Sequence, residues 1–341
     1  MNKWMAKGLL LLSLSLALTA CGAGGGKTQE GADAKSGSAA ETTAPASNTE
    51  NKDKEAAPSG ETRTITYLDQ TYTVPAKKDL RIVISGSMES MEDAVVLDAK
   101  PVGAISVSGQ FPDLFKKATT EAVSVGEKME PDYEGILKLK PDIILASTKF
   151  KPEAIEKFKK ITTTVPVSHV STNWEANLKL LAELTGKEKE AEEALNKYKA
   201  DLDAAKAKLG DKLKDKKVLA VRVRKGDLAI YPEGVFFNAS LYKDLGFTAP
   251  AEVKAAKAQE LISLEKFSEI NPDYLFVQFS PDENKDTPKA LEELENNPIW
   301  KSINAVKNGK VFVNVVDPLA QGGTALSKFL FLEAAVDKLS Q

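Results

Sequence analysis

Two stretches decide the fold: Glu134-Gly135-Ile136-Leu137-Lys138-Leu139-Lys140-Pro141-Asp142-Ile143-Ile144-Leu145 and Glu265-Lys266-Phe267-Ser268-Glu269-Ile270-Asn271-Pro272-Asp273-Tyr274-Leu275-Phe276. In each, a glutamate opens a short helical pattern, Pro-Asp ends it and an apolar strand begins at once. Proline drives the residue before it out of the helical region, which explains the abrupt switch. A unit that occurs twice in one chain predicts two similarly built lobes, each with one equivalent glutamate.

Outward from these units, runs rich in valine and isoleucine alternate with helical patterns. Strands are expected over 81–85, 102–105, 123–125, 143–146 and 165–168, and again over 218–223, 228–231, 274–279 and 311–316. That alternation implies βαβ units and parallel sheets. Between the two series, Ala191, Leu195, Tyr198, Leu202, Ala205 and Leu209 recur at helical spacing after a break at Thr185-Gly186. A helix over 187–209 would be a rod of about 35 Å at 1.5 Å per residue, stiff enough to keep lobe motions small. The expected organisation is an α/β lobe over 62–172, a helical connector over 173–210 and a second α/β lobe over 211–341.

Ahead of the lobes, residues 1–20 read as an export signal: Lys3 and Lys7, an apolar run from Leu9 to Leu18, then Leu18-Thr19-Ala20-Cys21. Small residues before the chain's one cysteine are the pattern at which lipoprotein precursors are lipidated and cut. A diacylglyceryl group on Cys21 supplies two acyl chains at about 0.8 kcal/mol per buried methylene, enough for stable anchoring. Residues 22–61 hold no valine, leucine, isoleucine, methionine or aromatic residue, so they cannot offset the entropy of ordering and should form a tether with a reach of roughly 35 Å. The protein is thus expected on the outer face of the cell membrane, lipid-anchored in the Gram-positive manner.

Composition removes other classes. The 341 residues carry 46 Lys plus Arg against 49 Asp plus Glu, so there is no basic excess for a nucleic-acid backbone. Losing Lys3 and Lys7 with the signal moves the formal net charge from -3 to -5, which disfavours direct binding to anionic lipid. One cysteine and one histidine exclude a disulfide framework, a zinc cluster and the usual histidine-dependent triads. No catalytic residue, metal site or cofactor is expected. Clustered tyrosine, histidine or carboxylate ligands for bare ferric iron are missing, so any iron would have to arrive already chelated.

Ligands of open parallel sheets bind beyond the carboxyl ends of the strands. Lys128, Lys149, Arg222, Arg224 and Gln278 stand at such ends. Arg222 and Arg224, two residues apart, share a face of their strand. Four cations at strand ends of two lobes point to a cleft built for an anion, and arginine adds planar, donor-rich recognition of oxygen. His169 also follows a strand, where a lone histidine is more often structural. Trp174 and Trp300 read as core or lobe-packing residues. Glu134 and Glu265 fit two readings equally: complements to a helix macrodipole, or one carboxylate per lobe presented to a two-fold partner.

The lipobox, polar tether, two lobes, repeated glutamates and the stretch from Asn297-Pro298-Ile299-Trp300 to Lys307 resemble the cluster A (class III) substrate-binding proteins of ABC importers. Gly86-Ser87-Met88-Glu89-Ser90-Met91-Glu92-Asp93-Ala94, Gly126-Glu127-Lys128-Met129-Glu130-Pro131, Pro166-Val167-Ser168-His169 and Asp317-Pro318-Leu319-Ala320-Gln321-Gly322-Gly323-Thr324 resemble more closely the Gram-positive lipoproteins that receive ferric bacillibactin and related triscatecholate siderophores. The resemblance implies two Rossmann-like α/β lobes joined by one long helix, and a monomer that delivers a ferric siderophore to a homo- or heterodimeric permease. It also implies a basic triad of Lys128, Lys149 and Arg224 on the catecholate oxygens, further contacts from Arg222 and Gln259, and permease docking by Glu134 and Glu265. Lys225, where the family pattern suggests glutamine, and Gln110, where it suggests lysine, depart from it. Competing readings are a carboxylate or hydroxamate siderophore, a lipid-anchored cell-envelope enzyme and a purely structural surface protein.

Overall fold

A computed structural model describes residues 60–213 and 215–341, the side chains of 211 and 212 excepted. The signal, Cys21 and the tether up to residue 59 lie outside the described residues. No helix among the described residues is long and apolar enough to cross a membrane.

The first element is a hairpin that the run-based strand search passes over, β1 (Thr62–Tyr67) and β2 (Gln70–Pro75). Ile65 and Tyr67 turn inward while Thr64 and Thr66 stay exposed, the alternation of a strand with one buried face. Leu68 and Asp69 turn the chain with φ of 47° and 61°, the paired positive values that match strand twist in a two-residue hairpin.

The first lobe follows as β3 (Ile82–Ser85), α1 (Met88–Leu97), β4 (Gly103–Ser106), β5 (Val123–Glu127), β6 (Glu130–Pro131), α2 (Tyr133–Lys138), β7 (Ile143–Ser147), α3 (Pro152–Lys159) and β8 (Thr164–Val167). Its sheet runs β6-β5-β4-β3-β7-β8, parallel except for the short β6. Every residue of β3, β4 and β7 is buried, so these strands are continuous apolar runs rather than alternating ones. The connector is α4 (Trp174–Thr185), a left-handed cap at Gly186, then α5 (Glu188–Leu209).

The second lobe comprises β9 (Val218–Arg224), β10 (Asp227–Ile230), α6 (Ala251–Ala255), β11 (Glu260–Leu261), α7 (Leu264–Ile270), β12 (Tyr274–Phe279), α8 (Ala290–Asn296), α9 (Pro298–Lys301), α10 (Asn304–Lys307), β13 (Val311–Val313) and α11 (Ala325–Leu339). Its sheet order is β11-β10-β9-β12-β13. Here the expectation of parallel strands needs correction: β9, β12 and β13 are parallel, but β10 folds back on β9 and β11 on β10. The link from β9 to β10 is only Lys225 and Gly226, both at positive φ, far too short for a crossover helix. The last strand also stops at Val313 rather than running to residue 316.

The sequence repeat is a repeat of contacts. Asp142 Oδ2 accepts from the backbone N–H of Arg81 at 2.6 Å, and Asp273 Oδ2 accepts from that of Lys217 at 3.0 Å. The Arg81 guanidinium then donates to the carbonyl of Leu139, the residue that caps α2, and the Lys217 ammonium to that of Ile270, the last of α7. Each Pro-Asp thus pins the end of one short helix to the strand beside it.

The lobes are joined by more than α5. The C-terminal α11 packs on both: Ala325 and Leu332 belong to the core of the first lobe, Phe331, Ala335 and Leu339 to that of the second. The fully buried Glu92 of α1 accepts from Gln321 N at 2.9 Å, Ser327 N at 2.8 Å and the Thr324 hydroxyl, capping α11 from the other lobe. Lys328 pairs with Asp244 and lies over the rings of Trp174 and Tyr198. Trp174 is buried edge-on to Tyr198 and Phe329, and Trp300 stacks on Phe267.

Candidate functional site

The carboxyl ends of the parallel strands in both sheets face one cleft of about 360 Å³. The first lobe contributes Lys128 from the β5–β6 turn, Lys149 after β7, His169 after β8 and Glu89 from the first turn of α1. The second contributes Arg222 and Arg224 from the end of β9, Gln259 ahead of β11 and Glu283 from the turn Pro281–Asn284. Gly86 makes the close packing possible. At φ 68° it lies under the Lys128 carbonyl, and a Cβ there would stand 2.3 Å from the Phe150 ring.

Four cations meet two carboxylates, an excess of two positive charges. Lys149 Nζ donates to Glu89 Oε1 at 2.8 Å. Arg222 Nε lies 2.8 Å from Glu283 Oε2, and Arg224 Nε lies 3.6 Å from Glu283 Oε1. Arg224 Nη1 also donates to Gln259 Oε1 at 3.1 Å, an oxygen that accepts from the Tyr231 hydroxyl at 2.9 Å. Lys128 makes no ion pair among the described residues. Burial first, then the like charges of Lys149 and Arg222, push its ammonium down to about 8. The arrangement holds its cations ready for an oxygen-rich anion and leaves one of them uncompensated.

The rest of the lining is apolar or neutral: Met129, Val235, Phe236, Tyr231, Ser171, Gln321, Gly323 and Thr324. The guanidinium of Arg222 stands 5.8 Å from the Phe236 ring centre. His169 Nδ1 shares a 2.7 Å hydrogen bond with the Thr148 hydroxyl, and burial lowers the imidazole's affinity for a proton. Two larger grooves flank α5, but the one beside α4 is lined by Glu175, Glu183, Glu188, Glu192 and Asp244 against only Lys179 and Lys199. An anion belongs in the cleft.

Gln278 is a correction to the sequence reading. It pairs in register with Arg222, yet its amide donates to the carbonyls of Asp317 and Ala320 at 2.9 and 3.3 Å, and it is buried outside the cleft lining. It shapes the segment before α11 instead. Lys225, exposed at the β9–β10 turn, and Gln110, in a neighbouring hollow with Asp282 and Leu319, are not cleft-lining residues either. The sequence reading missed both cleft carboxylates. Glu89 carried a usable signal, since it stands in the first helical turn just beyond the carboxyl end of β3.

Beside the cleft the lobes touch directly. Ser108 Oγ donates to Asp282 Oδ1 at 3.1 Å and accepts from Lys285 Nζ at 2.9 Å. Glu127, next to Lys128, accepts from Ser108 N and Gly109 N at 3.0 and 2.8 Å, so the same loop is tied to the cation-bearing turn. Glu134 and Glu265 lie elsewhere on the lobes. Each is the second residue of its helix, exposed, and without an ion pair among the described residues. No group of three or more metal-ligating side chains is present among the described residues.

A family model described as periplasmic binding protein matches residues 83–314. The iron-uptake system-binding protein of Bacillus subtilis (strain 168) is 59% identical over 281 residues, 82% of this chain and 88% of that protein. The triscatecholate siderophore binding protein FeuA from Bacillus subtilis, complexed with ferri-bacillibactin, superposes with a TM-score of 0.79 at 59% identity, over 82% of this chain and 98% of that one. Staphylococcus aureus SirA complexed with staphyloferrin B gives a TM-score of 0.70 at 28% identity, over 82% of this chain and 100% of that one.

Proposed function

Because the chain belongs to the periplasmic binding protein family, we propose that it captures a ferric triscatecholate siderophore in the cleft between its lobes and delivers it to an ABC permease for iron uptake. The observation that carries this reading is the convergence of Lys128, Lys149, Arg222 and Arg224, from two lobes, on one space with an excess of positive charge. Three catecholates around ferric iron form a compact trianion whose oxygens accept hydrogen bonds from cationic donors. Its aromatic rings suit cations lying against their faces and the apolar lining of Met129, Val235 and Phe236. Iron arrives chelated, so the protein supplies the shell around the chelate and no ligand to the metal.

In this reading Lys128, Lys149 and Arg224 contact the catecholate oxygens, with Arg222 and Gln259 beside them. Glu89 and Glu283 hold the cations in place until an anion displaces part of that work. Glu134 and Glu265 meet basic residues of the permease, one per lobe. A diacylglyceryl group on Cys21 holds the protein to the outer face of the cell membrane. Capture involves no turnover, and the chelate leaves unchanged.

A second reading is a carboxylate siderophore, favoured by the same-strand arginines and the likeness to SirA. Parallel titrations separate the two. The triscatecholate reading expects a red, visible-absorbing complex and quenching of intrinsic fluorescence with ferric triscatecholate at far lower concentration than with ferric citrate or a ferric hydroxamate. Tighter binding of the carboxylate chelate would overturn it.

A further inference from the structure

The turn beyond β10 reads Glu233-Gly234-Val235-Phe236-Phe237, and its left-handed residue is a phenylalanine, with φ of 58° at Phe236. A bulky residue seldom adopts this conformation, because its Cβ crowds the carbonyl that follows. Phe236 is the one aromatic residue among the described residues that does so. Glycine would make the same turn without strain.

A strained residue persists only where its surroundings over-determine it. Here the Asn238 amide donates to the carbonyls of Tyr231 and Pro232 at 2.7 and 3.3 Å, closing the turn from within. From outside, Gly322 lies so close that a Cβ on it would stand 2.6 Å from the Phe236 carbonyl carbon and from the Phe237 nitrogen. The segment around Gly322 is in turn held by Glu92 of the first lobe, through Gln321 and Thr324. The Phe236 backbone is thus braced from both lobes.

That bracing fixes the position of a ring. Phe236 lines the cleft, stacks on Tyr231 with ring centres 4.6 Å apart, and has the Arg222 guanidinium 5.8 Å from its own centre. Arg222 is the one buried member of the four cleft cations. A cation near an aromatic face is attracted by the ring quadrupole, more strongly where water is excluded. We propose that Phe236 is a positioning residue for capture, its backbone strained so that its ring keeps the Arg222 guanidinium turned to the chelate. Glu283 draws the same group by charge at Nε, and the ring opposes its collapse onto that carboxylate. The proposal rests on the siderophore reading above and adds the side chain that steadies one of its cations.

The test is fluorescence titration of the full protein with ferric triscatecholate. Phe236→Leu should bind about tenfold more weakly, as for loss of a desolvated cation–π contact. In an Arg222→Ala background the same substitution should change affinity by less than about twofold, because it acts through the arginine. In the ligand-free protein, nuclear magnetic resonance should show the Arg222 Nε–H exchanging with solvent faster once the ring is gone. Phe267→Leu, which removes a core ring outside the cleft lining, should lower Tm and leave affinity unaltered. Strain is read from Phe236→Gly and Phe236→Ala, which both lose the ring: glycine should melt above alanine, the reverse of its usual rank.

Unchanged affinity or unchanged Nε–H exchange in Phe236→Leu overturns the proposal. A loss of equal size in the Arg222→Ala background would mean that the ring meets the chelate itself, and also overturns it. Alanine melting as high as glycine removes the strain, and equal weakening by Phe267→Leu traces the loss to general destabilisation; either result overturns it. If the unaltered protein binds no ferric triscatecholate, the capture reading fails, and the role of Phe236 with it.

Discussion

Glu283 pairs with Arg222 in the cleft lining, its Oε2 lying 2.8 Å from the guanidinium Nε, with 8% of the arginine side chain exposed and 17% of the glutamate. A buried charge that loses its partner keeps its desolvation cost without the attraction. Glu283→Gln should lower the stability of the ligand-free protein by about 1–3 kcal/mol. An anionic chelate can replace the missing carboxylate, so the ligand-induced rise in Tm should be larger in the variant than in the unaltered protein. Thermal melts with and without ferric triscatecholate decide this; equal ligand-induced shifts would show that Arg222 does not turn to the ligand.

Lys128 makes the cleft sensitive to alkaline pH. Its ammonium is held at about 8 in the folded protein against an ordinary value of 10.5. Below about 8 it is charged both folded and unfolded, and the burial cost is fully present. Between 8 and 10.5 the folded protein has released the proton and the cost fades. Lys128→Met should therefore melt higher than the unaltered ligand-free protein at pH 7, with the advantage vanishing towards pH 10.5. Chelate affinity should fall as pH rises through 8, and calorimetry in buffers of different ionisation enthalpy should detect proton uptake on binding near that pH.

Asp93 is a second stored cost. Its carboxylate oxygens are buried without a hydrogen-bond partner, and burial, then the charges of Glu92 and Glu89, raise its proton affinity well above the usual carboxylate range. A carboxyl raised in the folded state contributes stability below its unfolded value, and that contribution is lost as pH rises through its folded value. Asp93→Asn should stabilise the protein at pH 7 and lose that benefit at pH 4. A variant equally stabilised at both pH values would place the effect in packing rather than charge.

The contact of Ser108 with Asp282 and Lys285 bridges the lobes next to the cleft-lining Glu283. Ser108→Ala removes both bonds. Because all three residues are exposed, stability should change little, while the chelate dissociation rate should rise several-fold. Stopped-flow displacement measures it, and an unaltered rate would leave the bridge without a part in retention.

Much of the fold was legible because its strands are buried on both faces: β3, β7 and β9 stand out as unbroken apolar runs, and the Pro-Asp units mark where helix turns into strand. The β1–β2 hairpin was missed because its threonines and tyrosines alternate and never form such a run. The antiparallel β10 was missed because residue pattern does not report strand direction, although the Lys225-Gly226 turn did. In the site, strand ends located the cations, since the backbone alone sets where those residues emerge. Glu283 comes from a turn after β12, and no local pattern says that it reaches Arg222 on β9. Gln278 shows the reverse limit: position placed it at a strand end, but the carbonyls of Asp317 and Ala320 use its amide.

The account stands on one ligand being gripped from both lobes, and a double-mutant cycle between Lys128 and Arg224 tests that most directly. Ferric triscatecholate titrations of Lys128→Ala and Arg224→Ala should each show binding weakened by about 2–5 kcal/mol, as for loss of one partner of a desolvated charge pair. Non-additivity in the double variant would report a shared ligand. Affinity unchanged by either substitution would contradict capture in this cleft.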